Sequence, residues 1–489
     1  MKKYILIILC CLTSFPLWSY NVNMIVEHYS VDQGLPNNTV NCTLKDRDGF
    51  IWFGTWYGLC CFDGVKFKTF NKQEHDSDVP PRKIQRIVED KNGYIWVKTI
   101  DRKLYVFNKV TECFHAVYDD MKNYSENIQV IKLQNTAEGD VLLLTKDKNL
   151  LLAGVDEKGQ VTIKILFDSR DEINKHDYTL KHHVLCETEE YISWIGTDYK
   201  VSAVHKGAEL ASRPADFITS KINSGDKDSF TSFFEDGRKV WVGDRAGIFY
   251  SIDVRTGLVN RYVLSEIKGA ISNLLVTPAG YVYLSVAGQG TYEYDLAERR
   301  LQKINTEMND AMVTHAFIDQ YDKIWFHENE KALIYYDPLN HTAKRFPFTM
   351  FGKITTLYSE DAGERGLFFL SPAGEAWLFD REHAEMVYIN KLKQLSNDRA
   401  NQQFYHLMLD NDGVLWLSSA DEGVYCMNFP KKQFNLLSLS PQSAGQENYT
   451  IGVRALFQSK SGDIWVGTRW QSVYRMDRNG VTKHVFSTG

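Results

Sequence analysis

Seven residues have the chemistry to hold a sugar: Trp56, Tyr57, Arg102, Tyr199, Arg245, Gln289 and Glu328. Aromatic rings stack on the apolar C–H face of a pyranose, and guanidinium, amide and carboxylate tips bond its hydroxyls. Asp101, Asp147, Lys148, Asp198, Asp244 and Asn329 stand beside them, and Arg469-Trp470-Gln471 repeats the theme near the C-terminus. Each also reads simply as part of a solvated loop. No Gly-x-Ser-x-Gly motif and no phosphate-cradling glycine loop accompanies them. His182-His183 has no carboxylate at metal-ligand spacing. Asp46-x-Asp48-Gly49 and Asp410-x-Asp412-Gly413 lack the third early ligand and the closing Glu of a calcium loop, so they read as turns. The expectation is a binding surface without a catalytic residue, a metal or a cofactor. The paired carboxylates of a glycosidase are defined by a separation in space, which spacing along the chain does not fix.

The loops carrying these residues recur because the chain repeats. The clearest copies are Asp46-Arg-Asp-Gly-Phe-Ile-Trp52-Phe-Gly-Thr, Asp90-Lys-Asn-Gly-Tyr-Ile-Trp96-Val-Lys-Thr, Asp410-Asn-Asp-Gly-Val-Leu-Trp416-Leu-Ser-Ser and Ser459-Lys-Ser-Gly-Asp-Ile-Trp465-Val-Gly-Thr. Weaker copies centre on Leu143, Trp194, Trp241, Tyr283, Trp325 and Phe369, giving ten units spaced 42 to 51 residues apart. That period is the range for propeller blades of four strands. Each unit reads as a strand, an Asp-x-x-Gly turn, a second strand, a variable loop and two further strands. In a propeller the loops between second and third strands gather at one mouth of the central channel, where ligand sites favour the concavity. The tryptophans are expected as wedges between sheets rather than as ligand contacts.

The chain has 489 residues, 44% of them hydrophobic, and a formal charge of −6. Lys2-Lys3, an apolar run from Tyr4 to Leu12 and Ser14 to Ser19 read as a signal peptide over residues 1–19. No small residue precedes Cys10, so it does not read as a lipidation site. Removing the two leader lysines takes the charge to −8, which with no basic cluster disfavours nucleic acid as a partner. No later run of 18 apolar residues forms a membrane-spanning candidate. Cys42, Cys60, Cys61, Cys113, Cys186 and Cys426 are scattered, which argues against a zinc site and a dense disulfide framework. A Cys42–Cys60 pair stays open at this level.

Glu27 to Leu35 reads as an outer strand without its preceding three, suited to closing a ring. The expected architecture is all-β: a seven-bladed propeller over residues 20–340, closed by that strand, then the first three blades of an incomplete second propeller over 341–489. Rival closures are eight blades plus two, or one ring of ten. Three blades cannot close, which points to a longer natural polypeptide or a truncated one.

Gln33-Gly-Leu-Pro-Asn-Asn-Thr-Val40, followed by Asp46-x-Asp-Gly-Phe-Ile-Trp-Phe-Gly-Thr-x-x-Gly-Leu59, resembles the two-component regulator propeller repeat. The resemblance is sharpest in the first unit and extends, with decay, over residues 26–489. It implies the periplasmic sensor portion of a Bacteroidetes hybrid two-component system, responding to oligosaccharides and controlling polysaccharide-utilisation genes. Relatives of this kind imply a homodimer anchored in the inner membrane. They also carry a β-sandwich, a membrane helix and a histidine kinase, none of which this sequence shows. The alternatives are a secreted propeller lyase or glycosidase acting on glycans, and a pure interaction scaffold.

Overall fold

The computed structural model describes residues 25–70, 81–121, 129–146, 149–167, 180–188, 190–196, 201–207, 215–216, 230–304, 313–328, 331–351, 358–361, 366–371, 375–391, 404–428, 452–469, 472–477 and 482–487. The signal-peptide segment lies outside them. Ten antiparallel four-stranded sheets account for nearly all regular structure among the described residues. The only α-helix among the described residues is Tyr118–Met121. No described helix is long and apolar enough to cross a membrane.

Each repeat centre falls on the second strand of its own sheet. In the first sheet Val40–Lys45 is innermost, followed by Ile51–Thr55, Gly58–Phe62 and Phe67–Phe70. The repeat spacing has a physical cause. Asp46 Oδ1 accepts the amides of Asp48 (3.0 Å) and Phe50 (2.9 Å), which shapes the turn, while Oδ2 accepts the Trp52 indole N–H at 2.7 Å. Gly49 supplies the positive φ of 93° that the turn requires. Asp90 holds Trp96 in the same way at 2.8 Å, Asp410 holds Trp416 at 3.1 Å and Asp319 holds Trp325 at 3.3 Å. A carboxylate and an indole six residues apart therefore form one unit: turn cap and wedge support together.

Among the described residues, nine apolar clusters join the sheets in sequence. Phe107 of the second sheet packs with Trp52, Leu143 of the third with Trp96, and Ile192 of the fourth with Leu144. Val242 meets Ala203, Leu284 meets Trp241, and Phe326 meets Tyr283. Phe379 meets Trp325, Leu417 meets Phe368, and finally Trp416 of the ninth sheet packs with Phe53 of the first. The last contact closes the cycle.

The closure differs from the sequence expectation. Ile25–Tyr29 does not complete the Trp325 sheet; it pairs antiparallel with Val424–Asn428, with Glu27 opposite Cys426, and so completes the Trp416 sheet. The Trp325 sheet has its own fourth strand, Thr342–Pro347, which the expected boundary at 340 assigned to a second ring. The compact units are Met1–Phe429 and Pro430–Gly489, not 20–340 and 341–489. The reason lies in the seam. Gly423 (φ 90°) abuts the closing strand so closely that a Cβ there would stand 2.1 Å from the Tyr29 carbonyl oxygen. Ser30 and Gln33 form a capping box, Gly34 turns the chain at φ 108°, and Leu35, 3% exposed, plugs the cluster containing Trp416 and Phe53.

In the second unit, Val453–Gln458, Ile464–Thr468, Ser472–Met476 and Thr482–Ser487 form one sheet with a small core of Val466, Tyr474 and Met476. Cys42 and Cys60 carry free thiols, each buried, so the pair left open by the sequence is not a disulfide.

Candidate ligand-binding site

The loops between second and third strands hold Trp56, Tyr57, Arg102, Arg245 and Gln289 of the residues singled out for sugar binding, and they differ sharply in how free they are. Trp56 and Tyr57 bridge Ile51–Thr55 and Gly58–Phe62 and are 44% and 61% exposed. Their backbone is fixed. The Thr55 hydroxyl donates to the Gly58 carbonyl and accepts the Tyr57 amide, and the Trp56 carbonyl accepts the amide of Lys83 from the next sheet at 2.9 Å. The Lys83 ammonium lies 5.3 Å from the Trp56 ring centroid. Two large rings thus stand in solvent on a pinned loop, which lowers the ordering cost of stacking a ligand on them.

Arg102 is exposed, at a left-handed φ of 67°. Its carbonyl accepts the Val130 amide of the third sheet at 2.9 Å, the same inter-sheet tie that Trp56 makes. Arg245 is exposed at the tip of a turn whose Asp244 carboxylate caps the Ala246 and Ile248 amides at 2.9 and 2.8 Å. Burial raises the Asp244 pKa, yet its bonds are those of a turn cap. Gln289 is half-buried and occupied, accepting from the Lys268 amide at 2.8 Å and donating to the Glu266 carbonyl at 3.4 Å. Glu328 is 3% exposed and bound through Oε2 to Arg345 Nε (3.1 Å) and Nη2 (3.0 Å). It is therefore a buried ion pair rather than a rim acid, because its position ends the second strand instead of standing on the loop. Tyr199 lies outside the described residues, as do Asp147, Lys148, Asp198, Asn329 and Trp470. Trp56, Tyr57 and Arg102 fall on adjacent first and second sheets. Arg245 and Gln289 fall on the fifth and sixth, so two sheets separate the groups on one side and three on the other.

At the opposite ends of the first two sheets lies a cavity of about 830 Å³, lined by Phe50, Phe67, Tyr94, Arg47 and Lys66 among others. It borders Asp46, Asp48 and Glu89, whose carboxylates approach each other closely enough to ligate a cation. Lys109 fills that place itself, at 3.1, 2.7 and 2.8 Å from the three. The sequence reading missed Lys109 because its partners come from another repeat.

Radial four-stranded sheets closed into a cycle define a β-propeller. Residues 34–57 match the family model described as the two component regulator propeller, so the chain carries that repeat from the seam to the exposed Tyr57. No curated protein matches the sequence. Among solved structures, the chain is similar to the extracellular domain of the hybrid two component system BT3049 from B. thetaiotaomicron, at 15% identity and a TM-score of 0.33. That match covers 95% of this chain and 67% of the other. The extracellular domain of the one component system BT4673 from the same organism gives 18% identity, a TM-score of 0.31 and coverages of 94% and 61%. The chain thus spans two thirds or less of these relatives' length. An inactive virginiamycin B lyase from Staphylococcus aureus gives 9% identity, a TM-score of 0.31 and coverages of 63% and 96%.

Proposed function

We propose that this chain is the extracytoplasmic, ligand-sensing portion of a two-component signalling protein, that it binds oligosaccharides at the loop end of its first two sheets, and that it acts in the periplasm to control polysaccharide-utilisation genes. One observation carries the reading: the segment matching the two component regulator propeller, 34–57, ends on the exposed Trp56–Tyr57 pair held on a pinned loop. Aromatic pairs of this kind bind sugars by stacking, and Arg102 beside them offers hydroxyl-directed donors. Ligand-linked change in self-association would pass the signal on. The rival enzymatic reading gains nothing from Glu328, which is spent on Arg345, or from Asp244, which caps a turn.

Isothermal titration of the chain against a panel of oligosaccharides tests this. The expected result is saturable binding by at least one member, weakened about tenfold or more by Trp56→Ala or Tyr57→Ala. Absence of binding across the panel, or binding indifferent to both substitutions, would overturn it.

A further inference from the structure

In the second sheet the repeat's small residue is replaced by a lysine. Gly54 and Gly243 hold this place in the first and fifth sheets, where a Cβ would meet Cys42 Sγ at 2.5 Å and Ser232 Oγ at 2.4 Å. The position thus points at the innermost strand. Lys98, only 6% exposed, occupies it and gives its ammonium a single amide oxygen, Gln85 Oε1 at 2.6 Å. Directly across the ladder stands Arg86, an exposed second cation. Among the described residues, Arg102, four residues on, has the Gln129 amide oxygen at 3.5 Å as its one side-chain hydrogen-bond partner. Among the described residues no carboxylate reaches salt-bridge distance of any of the three. The nearest acid along the chain, Asp101, is taken by Thr99 and by Lys103 at 3.3 Å.

A desolvated ammonium without an anion is costly, and the Arg102 guanidinium adds to that cost. Burial and Arg102 bring the Lys98 pKa down to about 8, as an unanswered positive charge requires. The field reaches across the seam: Arg86 helps depress the protonation of His406 on the ninth sheet, whose Nδ1 is buried without a partner.

We propose that Lys98, Arg86 and Arg102 form an oxyanion subsite, which receives the carboxylate or sulfate of an acidic glycan whose sugar ring stacks on Trp56 and Tyr57. A guanidinium pair offers parallel N–H donors to either oxyanion, and Lys98 supplies a point charge from the buried side. The glycan part of this assignment rests on the function proposed above; the subsite itself rests on the cations alone.

Calorimetric titration with trigalacturonate, with neutral galactotriose and with inorganic sulfate, alongside thermal melts, separates the two. The wild-type chain should bind trigalacturonate about tenfold or more tightly than galactotriose. Lys98→Met should bring the two sugars within about twofold of each other, and should melt above the wild type when no anion is present. Equal affinity of the wild type for both trisaccharides would overturn the subsite and leave the sensor reading standing. Sulfate raising the wild-type melting temperature but not that of Lys98→Met, with neither sugar bound, would uphold the subsite and remove the glycan. A Lys98→Met chain that melts lower than wild type, with no anion effect in either, would overturn the subsite outright.

Discussion

The Lys109 ammonium lies 3.1 Å from Asp46 Oδ2, the same oxygen that accepts the Trp52 indole. A cation from the second sheet thus braces the turn and wedge of the first. Arg381 repeats the arrangement on Asp319, which holds Trp325, and Lys206 reaches Glu138 and Glu187 from the corresponding place in the fourth sheet. All three cations follow directly on a third strand. Each therefore works as a clip between neighbouring sheets. Lys109→Met removes the clip and leaves three carboxylates facing one another, so the urea midpoint should fall by the equivalent of about 2–4 kcal/mol. Millimolar calcium should recover part of that loss in the variant and leave the wild type unchanged. An unaltered midpoint would show the cluster to be decorative.

The seam can be tested by chemistry. Glu27 and Cys426 are direct partners across the closing strands. Cross-strand partners bring Cα atoms to about 4.5–5.5 Å, within reach of a disulfide. Glu27→Cys should crosslink to Cys426 under mild oxidation, seen as a linked peptide by mass spectrometry. A chain closed on the Trp325 sheet would give no such peptide.

Removing an indole N–H without removing its bulk isolates the hydrogen bond. Asp90 is 1% exposed and gives Oδ2 to Trp96. Trp96→Phe should cost about 1–3 kcal/mol by leaving that oxygen unanswered, beyond the loss of packing. Trp325→Ala, a cavity between two sheets, should cost about 3–5 kcal/mol. Denaturant titration measures both.

Acid should loosen the ring at the ninth sheet. Burial, reinforced by Arg86, brings the His406 pKa down to about 4 from its ordinary 6.5. Between those values the unfolded chain binds a proton that the folded chain refuses, so stability present at neutral pH is lost as pH falls from about 6.5 to 4. The loss should be on the order of 2–3 kcal/mol, and His406→Asn should flatten it. Parallel curves for wild type and variant would rule the residue out as the source.

The sequence made the sheets visible because the Asp–Trp unit recurs six residues apart and because each turn needs its glycine. All ten centres predicted from that spacing lie on second strands. Trp56 and Tyr57 were legible as exposed for the same reason: they sit at a fixed offset from the motif. Closure was not legible, since any sheet can offer an edge to Ile25–Tyr29, and pairing depends on where Gly423 lets the strand approach. Glu328 was misplaced because Arg345, its partner, lies on a fourth strand whose register the repeat does not encode. Lys98 passed unremarked in the copy Trp96-Val-Lys-Thr, because its meaning depends on its being buried beside Arg102.

The strand that ends the cycle is made first and used last. Ile25–Tyr29 leaves the ribosome some four hundred residues ahead of its partner Val424–Asn428. Throughout synthesis the growing arc ends in two uncovered apolar faces, and each new sheet moves one of them along without removing it. Phe53 of the first sheet and Trp416 of the ninth cover each other only once residue 428 has been made, so no shorter stretch of the chain can shut the ring.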